Sequence, residues 1–273
     1  SGHAGSGSVG KAISDLAANR MDPQEAIDRY MAYLNDAKLF NDPDWYVATT
    51  GSDSNDGVSA PFLTLSHALS VASSGEIIQL AAGTYAVESA PYSVPDGVIV
   101  QGAGKAETLI RNSGFAVVSV NGAGVVIRDL SIVPGGITGA SLGTDPDRYT
   151  IFDNVTFVAG AATTKGLYMS VGYALLVNCD LASNWDAISV SGLGAGFLCH
   201  ASLINCSIDV HRYTSAPGSV MCALVADRDG EIVMLGGSIT VTASEAGIPA
   251  YGAQVSRSGD GGNIYMRGVR FVV

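Results

Sequence analysis

Six times along the chain, a short run of alternating apolar and polar residues returns behind a polar or glycine head. The runs are Arg128-Asp129-Leu130-Ser131-Ile132, Asp153-Asn154-Val155-Thr156-Phe157, Asn178-Cys179-Asp180-Leu181, Asn205-Cys206-Ser207-Ile208, Gly236-Gly237-Ser238-Ile239 and Arg267-Gly268-Val269-Arg270-Phe271. The position after the head falls at 130, 155, 179, 206, 237 and 269, at spacings of 25, 24, 27, 31 and 32. Alternation puts every second side chain on one face, so each run predicts a strand with one buried side. An imperfect period of this size predicts a solenoid, in which each repeat buries its apolar face only against its neighbours.

Each period holds a second, earlier strand-like run: Ala116–Val120, Gly166–Val171, Ala187–Val190, Met221–Ala226 and Tyr251–Ser256. Gly, Ser, Asn and Asp fill the connections, as sharp turns require. Two or three short strands per turn, stacked in parallel at about 4.8 Å, make an all-β, single-stranded parallel β-helix. Leu130, Val155, Cys179, Cys206 and Val269 are predicted to form one inward stack. Asp129, Asn154, Asn178 and Asn205 head four successive turns, and in register they would form a polar ladder. The length from Trp45 to Val273 divided by the period gives eight or nine coils.

Residues 1–10 read as a flexible linker or tag remnant, residues 11–43 as a helical attachment segment, and residues 44–273 as the β-helix. Met21–Phe40 carries helix-start signals in Asp22, Pro23 and Glu25, matching cap, first-turn proline and dipole preferences. Its stripe of Ile27, Met31 and Leu34 is expected to meet the β-helix or partner chains. The chain stops in mid-strand at Phe271-Val272-Val273. That is the expectation for a module of a longer protein, or one whose end another chain covers.

Composition narrows the partners. Of 273 residues, 14% are charged, 47% are hydrophobic and the net charge is −11. No basic stripe is available for nucleic acid, and no apolar stretch approaches the length of a membrane span. The four cysteines, Cys179, Cys199, Cys206 and Cys222, lack metal-binding spacing and are expected as core thiols.

Between Trp45 and Tyr85 the chain carries Trp45-Tyr46-Val47-Ala48, Gly51-Ser52-Asp53-Ser54-Asn55-Asp56-Gly57, Pro61-Phe62-Leu63-Thr64-Leu65, Gly75-Glu76-Ile77-Ile78-Gln79-Leu80 and Gly83-Thr84-Tyr85. This run resembles the N-terminal entry of pectate-lyase-like right-handed parallel β-helix proteins. The resemblance implies that Thr64–Ala72 is a helix plugging the first coil and that Gly83-Thr84-Tyr85 closes it. The superfamily includes pectin-active lyases, epimerases, glycosidases, surface proteins and bacteriophage tailspikes, so the resemblance implies a fold before a function. Its catalytic calcium aspartates and arginine have no counterparts that can be placed here.

No cofactor motif is present; Gly102-Ala103-Gly104-Lys105 and Gly122-Ala123-Gly124 follow no strand–helix pattern and read as turns. No cofactor or metal is expected. Two loop stacks concentrate chemistry. One carries Trp185-Asp186, then Asp209, His211, Arg212 and Tyr213, then Glu245 and Tyr251. Aromatic faces with charged groups are the mix a sugar cleft uses. Catalysis would fall to Asp186, His211 and Glu245, with His211 as acid or base, and binding to Trp185, Asp209, Arg212, Tyr213 and Tyr251. With Asp186 and Glu245 about two coils apart, near 9.6 Å along the axis, an inverting hydrolase is the better fit. The other stack, Asp227-Arg228-Asp229 with Arg257 and Asp260, reads as a salt-bridged turn, with calcium as the alternative.

Two functions are expected, with a non-catalytic bacterial surface adhesin as a third that lies close to the first. One is a bacteriophage tailspike or tail-fibre module, located on the virion tail, homotrimeric, joined to other tail proteins through its N-terminal segment and binding a cell-surface polysaccharide. The other is a secreted polysaccharide lyase, glycoside hydrolase or epimerase. Neither calls for nucleic acid or a membrane.

Overall fold

The computed structural model describes residues 28, 31–32, 42–87, 91–112, 116–120, 123–134, 138–142, 149–158, 165–191, 199–212, 221–228, 230–243, 250–255 and 262–272. Within these, strands wind into a right-handed parallel β-helix, and every strand pair is parallel. A 15-stranded sheet forms one wall with two limbs, and a seven-stranded sheet forms the other. The first limb runs through Trp45–Val47, Ile77–Leu80, Ile99–Gln101, Val125–Pro134, Tyr149–Phe157, Gly172–Val177, Cys199–Ile204, Gly230–Leu235 and Asn263–Arg267. Those nine stacked strands agree with the eight or nine coils read from the period. The second limb holds Gly83–Val87, Thr108–Asn112, Asp180–Ser183, Ser207–Arg212, Ser238–Ala243 and Arg270–Val272. The strands Val125–Pro134 and Tyr149–Phe157 run through both limbs.

The two limbs meet at a corner, and the backbone of that corner explains the repeated phrase. Asp129, Asn154, Asn178 and Asn205 have φ of 56°, 54°, 51° and 52°, and Gly236 and Gly268 follow at 70° and 69°. A left-handed residue costs most side chains energy, and only Gly, Asn and Asp adopt it readily. The turn therefore selects the head of the phrase, and the side chains then bond along the stack. Asn154 Nδ2 donates to Asp129 Oδ1 at 2.6 Å, and Asn205 Nδ2 donates to Asn178 Oδ1 at 2.8 Å. Three corner N–H groups also reach the next coil: Asn178 N bonds the carbonyl of Ile204 at 3.0 Å, Asn205 N that of Leu235 at 2.9 Å and Gly236 N that of Arg267 at 2.8 Å.

Directly after the corner, Leu130, Val155, Cys179 and Cys206 are fully buried in one core, with Val269 packed against it. Cys179 Sγ donates to the carbonyl of Phe152 at 3.3 Å. All four cysteines are buried free thiols. Burial pushes the Cys199 thiol up to about 12, so it packs as an apolar group. The smaller sheet needs a small residue where neighbouring coils approach closely. At Gly139 a Cβ would stand 2.7 Å from the carbonyl of Gly166, and at Gly166 it would stand 2.7 Å from that of Ala187.

The entry motif becomes a set of loop locks. Asp53 Oδ1 accepts from Leu63 N and Thr64 N, each at 2.9 Å, and Asp53 Oδ2 from Thr64 Oγ1 at 2.8 Å. Asp56 Oδ1 accepts from the N–H groups of Val58, Ser59 and Ala60, and its Oδ2 from Ser59 Oγ. These bonds hold the Asp56 carboxyl well below the usual carboxylate range. The helix Leu65–Val71 starts at Thr64, whose hydroxyl accepts from His67 N, and it drives Leu65, Ala68 and Leu69 into the core of the first coil. Tyr85 Oη lies 3.1 Å from the carbonyl of Val47 and 2.9 Å from that of Ala81, tying the first coil to the second. Among the described residues no helix is long and apolar enough to cross a membrane.

If the corner conformation dominates over the ladder, Asn178→Gly will be nearly neutral and Asn178→Ala will lose about 1–2 kcal/mol. Denaturant midpoints of the two variants decide it; equal losses would assign the effect to the side-chain ladder.

Candidate functional site

The corner also divides the outer surface of the larger sheet. On the first limb, the outward row Ile77, Ile99, Val126, Ile151 and Leu175 is apolar and 1–7% exposed. On the second limb, the outward row is polar. Thr156, Asp180, Ser207, Ser238 and Arg270 stand in register on successive coils. Two residues further along each strand, Asp209 lies between Ala182 and Thr240, and His211 lies beside Thr242. Ser207, Asp209, Thr242 and Arg270 are exposed.

Two ion pairs organise this face. His211 Nε2 is 2.9 Å from Asp209 Oδ1, with their side chains 39% and 51% exposed. The pair forms because residues two apart on a strand share a face. Lys105 reaches over from a loop three coils earlier. Its Nζ donates to Asp180 Oδ2 and to the carbonyl of Asn178, both at 2.7 Å, while Ser131 Oγ secures the loop through the Lys105 carbonyl at 2.6 Å. Burial pushes the Asp180 carboxyl up, but hydrogen bonds from Lys105 and Ser207, with the charge of Lys105, outweigh it and hold the group below its usual range. Asp180 thus stays ionised, and the face presents hydroxyls and balanced charge.

The expected single stack of Asp186, His211 and Glu245 divides. Asp209 and His211 come together on the exposed second limb. Asp186 begins a strand of the smaller sheet, Asp186–Ser191, where it pairs with Cys222, which in turn pairs with Tyr251. Its side chain is 0% exposed, with Oδ2 3.7 Å from Lys165 Nζ. Asp186 is therefore sequestered rather than facing a polymer, because the chain turns between Ser183 and Asp186 into the other wall. Trp185 sits in that turn; its N–H donates to Ser183 Oγ at 3.1 Å, and its ring is partly buried. Tyr251 is 48% exposed on the smaller sheet. Arg212 closes the strand Ser207–Arg212, and its side chain, like all of Tyr213 and Glu245, lies outside the described residues. In the second stack Arg228 takes φ 47°, with its N–H 3.1 Å from Asp227 Oδ1; Asp229, Arg257 and Asp260 lie outside the described residues. Among the described residues no three His, Cys, Asp or Glu side chains gather as metal ligands.

Lys105 and Asp180 escaped the sequence reading, although Asp180 follows the inward Cys179 in the repeated phrase. Aligning the phrases puts Ser131, Thr156, Asp180, Ser207 and Ser238 in one column, which was the available signal. Lys105 had none, since its partner is 75 residues away. A buried contact was missed too. His200 Nδ1 is 2.7 Å from Glu231 Oε2, and the His200 ring stacks on Tyr173 at 5.1 Å.

Comparisons with known proteins agree with this architecture. A family described as "Protein of unknown function (DUF1565)" matches residues 49–172, just under half of the chain. No curated protein matches. Among solved structures, the pectin methylesterase of Erwinia chrysanthemi is similar over 84% of this chain and 79% of its own, at 14% identity and a TM-score of 0.58. A pectin methylesterase in complex with a hexasaccharide gives the same coverage, identity and TM-score. A pectate lyase, 16% identical, covers 84% of this chain and 76% of its own at a TM-score of 0.49. At these identities the likeness is one of fold.

Because the folded Asp180 carboxyl lies below its unfolded value, the stability it brings is present above about pH 4 and is lost as pH falls through the folded value. Lys105→Met should therefore be less stable than the parent near pH 7, by at most about 1 kcal/mol for so exposed a pair. The two should converge in thermal melts at the acid end. A constant difference across pH would show that Lys105 acts through packing alone.

Removing Lys165 leaves the Asp186 carboxylate buried without its cation. Lys165→Met should cost about 3 kcal/mol, with much of the loss recovered in Lys165→Met/Asp186→Leu. Denaturant melts that leave the double variant no better than the single one would refute the pairing.

Proposed function

We propose that the domain binds an extracellular polysaccharide along the polar face of the second limb, as a tailspike or tail-fibre module of a bacteriophage acting as a homotrimer on the virion tail. The observation that carries this reading is the contrast across the corner. One outer face carries a covered apolar row; the other exposes Ser207, Asp209, Thr242 and Arg270, with Thr156, Ser238 and Thr240 adding hydroxyls along the stack. Coils spaced about 4.8 Å apart offer donors and acceptors at nearly the repeat of a sugar chain laid along the axis. Lys105 balances Asp180 and His211 accompanies Asp209, so the face suits neutral sugars better than strongly anionic ones. A pectin methylesterase of similar fold is described in complex with a hexasaccharide, which supports an oligosaccharide as the class of ligand. The entry motif supports the tailspike setting, and residues 11–43 would serve attachment to other tail proteins.

A second reading, a secreted glycoside hydrolase, is favoured by one observation. Asp180 and Asp209 occupy diagonal positions on neighbouring strands, about 7–8 Å apart by sheet geometry. Inverting hydrolases need carboxyls roughly 6.5–9.5 Å apart. Asp180, held ionised, is suited to the base, and Asp209 with His211 to the acid.

On an array of bacterial surface glycans, replacing both Asp209 and His211 by Ala should weaken binding about tenfold or more, the loss of two polar contacts. Ser189→Ala on the smaller sheet should leave it unchanged. Binding that survives the double replacement removes the polar face from consideration. Release of reducing ends that stops with Asp180→Asn while binding persists would establish the hydrolase, and a solution mass of one chain would exclude the trimer.

A further inference from the structure

Two of the buried thiols stand one above the other. Cys179 and Cys206 take the same inward place in consecutive coils, each directly after a left-handed corner residue, Asn178 or Asn205. Both are fully buried and free. Met31, by contrast, expected in a covered stripe with Ile27 and Leu34, is 50% exposed, and those two lie outside the described residues. The strands that follow the cysteines pair in parallel, Asp180 beside Ser207 and Leu181 beside Ile208, and Ser207 N donates to the Cys179 carbonyl at 2.9 Å. Side chains on both flanks clamp the same two coils. Asn205 Nδ2 donates to Asn178 Oδ1 at 2.8 Å, and Ser207 Oγ donates to Asp180 Oδ1 at 2.6 Å. Between those clamps the cysteines share the strand spacing of about 4.8 Å. That spacing lies inside the range of about 4.4–6.8 Å that separates the Cα atoms of a disulfide.

The thiols also face one another. Cys206 Sγ donates to the carbonyl of Leu176 at 3.4 Å, in the coil that holds Cys179, and the two cysteine side chains hydrogen-bond. The other two thiols have different neighbours in register. Cys199 stacks between Gly172 and Gly230, and Cys222 between Asp186 and Tyr251.

We propose that Cys179 and Cys206 form a redox-sensitive staple, a disulfide that locks two coils together at the corner. The bond joins Sγ to Sγ. Both S–H bonds break, two protons pass to solvent, and two electrons pass to a disulfide oxidant such as oxidised glutathione, which becomes two thiols. Exchange proceeds through a thiolate. Burial, and the hydrogen bond with Cys206, push the Cys179 thiol well above its ordinary value, so inside closed coils the pair reacts slowly. The staple therefore forms while the coils are closing or when they open. It restrains the unfolded chain between residues 179 and 206, and it fixes register where a slip would turn the core outward. Both thiols lie inside the core, so this device is independent of the polysaccharide face.

The full chain, unfolded in guanidinium chloride, can be refolded at low concentration with dithiothreitol or with a mixture of reduced and oxidised glutathione. After dithiothreitol all four cysteines should react with a thiol reagent in denaturant. After glutathione only Cys199 and Cys222 should react, with Cys179 and Cys206 joined in a non-reduced digest. The oxidised form should have a urea midpoint about 1 M higher. Cys206→Val, which repeats the Val155 of the same stack, should show the same thiols and the same midpoint under both conditions. Four reactive cysteines in the folded glutathione product would overturn the proposal. So would a bond that includes Cys199 or Cys222, a glutathione adduct persisting in place of the bond, or an oxidised form with a lower midpoint. These readings come from the parent chain alone, so they stand if Cys206→Val does not fold.

Discussion

Everything in this protein depends on coils staying in register, and the register is held at one corner. There the chain must take a left-handed residue once per turn to pass from one limb of the larger sheet to the other, as it does at Asp129, Asn154, Asn178, Asn205, Gly236 and Gly268. The corner does three things together. It bends the backbone, it sends its N–H into the next coil, and it sets which of the following residues point inward. A slip of one residue would turn Leu130, Val155, Cys179 and Cys206 out of the core. Since each coil is stabilised by its neighbours alone, an error at one corner would spread to the coils stacked on it.

The fold was legible for the same reason. A left-handed corner accepts few residue types, and a solenoid repeats it, so Asp, Asn, Asn, Asn and then Gly recur at a readable period. The strands Ala116–Val120 and Met221–Asp227 fall where alternation puts them, and the helix Leu65–Val71 where the resemblance of the entry motif implies it. Alternation and period alone point to a side-chain ladder at the polar heads. Two rungs of the ladder form, Asp129–Asn154 and Asn178–Asn205, but the backbone angle is the constraint that also admits Gly236 and Gly268, where no side chain can bond.

The candidate site was less legible, because its chemistry is decided by which wall each residue joins. Asp209 and His211 share a strand, so their pairing followed from alternation. Asp186 looked equivalent to them, yet a turn of two residues after Ser183 carries it into the smaller sheet, where Lys165 meets it and solvent does not. Lys105 could not be read at all. Its role as a strap across three coils depends on loop reach, which leaves no local pattern in sequence.

The corner gives the two outer faces opposite fates. Upstream of it, one outward row runs Ile77, Ile99, Val126, Ile151 and Leu175; downstream, the outward positions include Ser, Thr, Asp and His. An apolar row left in water on a long, flat stack of strands would invite association of the most damaging kind for a β-solenoid. Covering one limb and leaving the other polar resolves this, and it also leaves the polar limb as the long surface on which a polymer can lie. The β-helix is suited to an extended ligand because its surface groups repeat along one axis, and the asymmetry between its limbs determines which side that ligand meets.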